Sequence, residues 1–96
     1  MKILVVYGDR EAADALAETL RLNHHAVRTC YTDNQSLEVA RDFRPHVILL
    51  CRVGFDAETV RQLRKATPVI TIGAQGDVSE PVDMLHLMQL IRQALA

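Results

Sequence analysis

Four times along this chain a short, strongly apolar run gives way to a polar turn and then to a stretch with helical spacing, and that alternation limits the fold more than any other feature. Ile3-Leu4-Val5-Val6 has no polar alternation and is rich in branched residues, as expected of a parallel strand covered on both faces. It ends at Tyr7-Gly8-Asp9. From Arg10 to Asn23, Ala13, Leu16, Ala17 and Leu20 recur three and four apart, with Asp9 placed to cap and Glu11 in the first turn, which predicts an amphipathic helix. Ala26 to Tyr31 alternates as a strand does, and Thr32-Asp33-Asn34 supplies a turn and a helix cap. The second helix turns Leu37, Ala40 and Phe43 inward and stops at Pro45. Val47-Ile48-Leu49-Leu50-Cys51 is the most hydrophobic segment, which predicts the centre of a sheet.

Gly54 and Asp56 lead into a third helix, Ala57 to Ala66, with Ala57, Val60 and Leu63 inward. Pro68 precedes a fourth strand, Val69-Ile70-Thr71-Ile72. After the loop Gly73-Ala74-Gln75-Gly76-Asp77, a last helix from about Val82 to Ala96 carries Met84, Leu87, Met88, Ile91 and Leu95 on one stripe. The order β-α-β-α-β-α-β-loop-α implies an α/β protein, a parallel sheet between helices with right-handed crossovers: three layers, doubly wound. With 96 residues this is one domain, 1–96. Chemistry in such sheets gathers at the carboxyl ends of the strands.

Composition narrows the function. Hydrophobic residues make up 49% and charged residues 24%, an ordinary core-forming balance. Eleven Lys and Arg against twelve Asp and Glu leave a net charge of -1, with no cationic surplus for nucleic acid or anionic lipid. No apolar run approaches a membrane span, and Met1-Lys2 opens directly on a strand rather than a secretory leader, so a cytoplasmic protein is expected. Cys30 and Cys51 are too few and too far apart for a disulfide framework or a zinc knuckle, and are read as reduced thiols.

Several segments, in order, resemble the receiver domain of response regulators and hybrid histidine kinases, the phosphoacceptor module of two-component signalling. Arg10 to Leu22 is similar to the first receiver helix, His25 to Thr29 to the second strand and its turn, and Ser36 to Ala40 to the second helix. Phe43 to Leu50 looks like the lead into the phosphorylation site, and Glu80-Pro81-Val82-Asp83 like the lysine-proline signature that opens the last helix. The resemblance implies a flavodoxin-like sheet of order 2-1-3-4 with at most a vestigial fifth strand. It also implies a role in signal transduction or transcriptional regulation, with a histidine kinase, an output domain or another signalling protein as partner.

At the positions where the family does its chemistry, this chain departs from it. The magnesium-binding acidic pair corresponds to Tyr7 and Gly8, with Asp9 one place late. The phosphoacceptor aspartate corresponds to Cys51, the hydroxyl residue after the fourth strand to Gly73, and the lysine to Glu80. Magnesium needs clustered carboxylate oxygens and an acyl phosphate needs a carboxylate nucleophile. Phosphotransfer, enzymatic activity and a cofactor are therefore not expected, and the degenerate positions are Tyr7, Gly8, Asp9, Cys51, Gly73 and Glu80.

A receiver also inserts a helix and a fifth strand where only Gly73 to Ser79 stands here, too few residues for both; Val78-Ser79 is the candidate vestige. The fourth strand then becomes an edge and apolar faces lose their cover. Leu85 and Leu90 lie off the core stripe of the last helix. The expected remedy is a homodimer, or a docked partner, over Val69, Thr71, Met84, Leu85, Met88, Leu90 and Ile91. Plainer readings serve the other features. Cys51 at a strand end is most often a small buried hydrophobe, with a redox sensor activated by Arg52 as the alternative. The strand-end crevice of Tyr7, Gly8, Asp9, Cys51 and Gly73 is an alternative small-ligand site. His24-His25 closes the first helix, His46 and His86 are solvated, and Arg61, Arg64 and Lys65 make a solvated face.

Overall fold

A computed structural model describes residues 1–51, 56–73, 76–79 and 82–95, and within these leaves aside the side chains of 33, 34 and 95. The elements run β1 (Lys2–Val6), α1 (Arg10–Leu22), β2 (Ala26–Cys30), α2 (Asp33–Phe43), β3 (Val47–Cys51), α3 (Ala57–Ala66), β4 (Val69–Ile72) and α4 (Met84–Leu95). The strands form one sheet of order β2-β1-β3-β4. Every neighbouring pair is parallel: Ile3 registers with both Val27 and Val47, and Leu49 with Ile70. The two runs without polar alternation, β1 and β3, are thus the inner strands, which explains their composition.

Because strand side chains alternate between faces, each inner strand feeds two cores. Ile3, Val5, Val47 and Leu49 meet Ala13, Leu16, Ala17 and Leu20 of α1 and Leu87 and Ile91 of α4. Leu4, Val6, Ile48 and Leu50 meet Leu63 of α3, with half-buried Leu37, Ala40 and Phe43 of α2 and Val60 of α3 packed against them. Burying each large apolar side chain contributes about 1.5–3 kcal/mol. Cys30 lies in the second core and Cys51 in the first, so the two thiols stand on opposite faces of the sheet with β1 between their strands.

Helix ends are set by side chains. Asp9 Oδ1 accepts the N–H of Glu11 (3.0 Å) and Ala12 (3.4 Å), capping α1 as expected. α1 ends at Leu22, one residue early, because Asn23 takes the C-cap, its N–H bonding to Leu20 O and its Nδ2 donating to Thr19 O (2.9 Å). Here His24 takes a left-handed conformation (φ 69°). β2 stops at Cys30, and Tyr31 lies just beyond it, under the Arg10 guanidinium (4.5 Å) and donating to Asp14 Oδ1 (2.7 Å). Asp83 Oδ1 accepts the N–H of Leu85 (3.0 Å) and His86 (3.4 Å), so α4 starts at Met84 and not at Val82. Ala57, expected to face inward, is exposed in the first turn of α3, and burial on that helix centres on Leu63.

Val78 forms an isolated parallel bridge to Ile72, the vestige of a fifth strand. The same short segment closes the outer edge of β4. Thr71 N–H donates to Asp77 Oδ2 (3.0 Å) and Thr71 Oγ1 donates to it as well (3.1 Å), while the Asp77 N–H returns to Thr71 Oγ1 (3.0 Å). Val78 N–H reaches Thr71 O (3.0 Å) and Gly73 N–H reaches Val78 O (2.9 Å). Two glycines permit the approach. Gly73 has φ 141°, and a Cβ on Gly76 would stand 2.7 Å from Thr71 O.

Candidate functional site

The carboxyl ends of β1, β3 and β4 converge as the parallel order requires, bringing Tyr7, Gly8 and Asp9 to the same end of the sheet as Cys51 and Gly73. Tyr7 is buried and turns into the α1/α4 core, where it lines a cavity of about 290 Å³ with Leu16, Val82 and Met84. Gly8 is exposed, with nothing within 4 Å of where a Cβ would stand. Asp9 is exposed, but its Oδ1 is engaged by the first amides of α1. Cys51 is 4% exposed and packs in the α1/α4 core. Gly73 is buried, and its left-handed φ disfavours any residue bearing a hydroxyl side chain at that point. Arg52 and Glu80 lie outside the described residues.

The chain matches no family model and no curated protein. Solved structures do match it over nearly its full length. The signal receiver domain of a modulated diguanylate cyclase from Desulfovibrio desulfuricans superposes with a TM-score of 0.85 at 22% identity, covering 98% of this chain and 92% of that one. A response regulator from Desulfuromonas acetoxidans gives 0.83 at 18% identity, over 98% and 95% of the two chains. The chemotaxis protein CheY4 of Vibrio cholerae gives 0.81 at 21% identity, over 98% of each.

The chain has the receiver fold.

On that fold the implied magnesium ion can be tested against the donors present. Tyr7 turns a phenol into the core, Gly8 offers no donor, and the Asp9 carboxylate is held by backbone amides. Among the described residues no three His, Cys, Asp or Glu side chains come together as a metal site. The residues do not fit a hard cation that requires clustered oxygens.

The proposed contact surface divides. Thr71 (3% exposed) and Ile91 (1%) are corrections: both are buried within the chain, Thr71 because Asp77 folds over it and Ile91 because it faces the sheet. Val69, Met84, Met88 and Leu90 are half-buried, with Leu90 packed against the α1/α4 core rather than standing off the stripe. Leu85 is 80% exposed. Sequence reading did not find the Asp83 cap or the Asp77 clasp. The first carried a signal, an aspartate just before a helix. The second carried none, since its partner Thr71 is reached only by the chain doubling back. No helix among the described residues is long and apolar enough to cross a membrane.

Proposed function

We propose that this chain is a pseudo-receiver, a regulatory domain that keeps the receiver scaffold and works by protein-protein contact instead of aspartyl phosphorylation. The observation that carries this reading is the state of the strand ends. A buried thiol stands at the end of β3, and the nearby Asp9 carboxylate is committed to capping α1. An acyl phosphate needs a carboxylate nucleophile with charge-neutralising partners, and Cys51 offers neither the nucleophile nor access. Its burial also argues against a thiol sensor, since reactive cysteines are partly exposed. Acetyl phosphate or beryllofluoride with magnesium should leave the protein unchanged. A stoichiometric, hydroxylamine-labile phosphoprotein would overturn the proposal.

The contact face of this reading is α4, and its first partner is a second copy of the chain. Leu85 is largely offered to solvent beside half-buried Met84 and Met88. The end of the β4 edge at Thr71 and Gly73 takes no part in the pairing, because its outward groups there are bonded to Asp77 and Val78. Sedimentation should give a dimer that Leu85→Glu converts to monomer. A monomeric wild type would end the homodimer.

A further inference from the structure

Between α2 and α3, on the face opposite α1 and α4, a half-open cavity of about 360 Å³ remains. It exists because Ala40 and Ala66, which line it from the two helices, are too short to fill the space between them. Its apolar wall is buried Leu63 with half-buried Leu37 and Ala40. Arg41 of α2 and Lys65 of α3 stand on the lining, and among the described lining residues there is no carboxylate. The one described ion pair, Arg61 with Glu58, leaves both cations unpaired. A pocket with an apolar wall and a polar rim of Arg41, Gln62, Lys65 and Thr67, its two cations outside the described ion pair, favours a ligand with the complementary layout.

We propose that this cavity binds a small anionic amphiphile, a carboxylate on a short unbranched alkyl chain. The alkyl part lies on Leu37, Ala40 and Leu63, and the carboxylate sits between Arg41 and Lys65. The volume falls at the lower end of the ~300–1,000 Å³ that ligand pockets occupy, and suits a small molecule better than a docked helix, which is about 10–12 Å across. The site lies on the other side of the sheet from Tyr7 and Cys51 and is independent of the pseudo-receiver reading.

The probe is octanoate, kept below its micellar concentration and titrated into the isotopically labelled chain with amide shifts recorded. Saturable shifts are expected at residues 37–41 and 62–67. Each methylene buried is worth roughly a factor of four, so hexanoate, two methylenes shorter, should bind roughly fifteenfold more weakly. The neutral isostere octanamide should bind at least about threefold more weakly than octanoate, a modest factor because both cations are exposed. The double variant Arg41→Gln, Lys65→Gln should erase that preference while octanamide binding is retained. No saturable shift, equal binding of octanoate and octanamide to the wild type, or shifts centred on the Tyr7, Leu16 and Met84 cavity would each overturn the proposal. The comparison of the two wild-type ligands decides the matter even if the double variant fails to fold.

Discussion

Asp9 stands one residue past the position where a metal-binding acid is expected, and its hydrogen bonds give it a different task. Its carboxylate accepts two otherwise unbonded amides at the start of α1, so Asp9→Ala should cost about 1 kcal/mol in urea unfolding, and Asp9→Asn much less. His25 poses the opposite situation. Both of its ring nitrogens are buried with no partner among the described residues. Burial, then the N-terminal ammonium, then His24 hold its pKa below the usual 6.5. The unfolded chain therefore takes up this proton first. The neutral ring's contribution is complete above about pH 6.5 and is lost as the pH falls below it. Between pH 7.5 and 5 the urea midpoint should fall for the wild type and fall less for His25→Phe. Equal slopes would show that the ring does not titrate in the folded chain as described.

At the scale of the element, the instructive segment is residues 76–79, part of the short stretch that stands where the resemblance implies a helix and a full strand. A four-residue strand left at a sheet edge exposes outward N–H and C=O groups and invites pairing with other chains. Here Asp77 and Val78 satisfy those groups at Thr71 and Gly73. Asp77→Ala should cost about 1.5 kcal/mol, near the low end for hydrogen bonds to a charged group because Asp77 is exposed, and should speed hydrogen exchange at the Thr71 amide. Gly76→Ala forces a methyl against Thr71 O and should cost about 1–3 kcal/mol. The two changes disrupt one clasp, so the double variant should lose less than their sum.

For the whole molecule, stability rests on two cores fed by the same inner strands. Leu49→Ala opens a cavity in the α1/α4 core and should cost about 2–5 kcal/mol, whereas Leu85→Ala, on exposed surface, should change stability by less than about 0.5 kcal/mol. That contrast, read by thermal or urea unfolding, separates the leucines that hold the fold from the one offered as a contact. Periodicity could not make this distinction for Leu90. The sequence pattern sets it off the helical stripe, yet it packs against the core, three residues on from fully buried Leu87 and so on a neighbouring part of the same helix face.

The alternation of branched runs with amphipathic stretches was enough, by itself, to determine the parallel α/β layering, the central position of β3 and the Asp9 cap, because strand burial and helix capping depend on neighbours a few residues away. The residue types at Tyr7, Gly8 and Cys51, from which the pseudo-receiver proposal starts, are likewise read directly from the sequence. Tertiary structure decided what depends on residues far apart or on the chain turning back. It set the Asp77 clasp that buries Thr71, the unpartnered ring of His25, the opposite faces of Cys30 and Cys51, and the cavity between Ala40 and Ala66. These come from distances and packing volumes between elements, which no local pattern encodes.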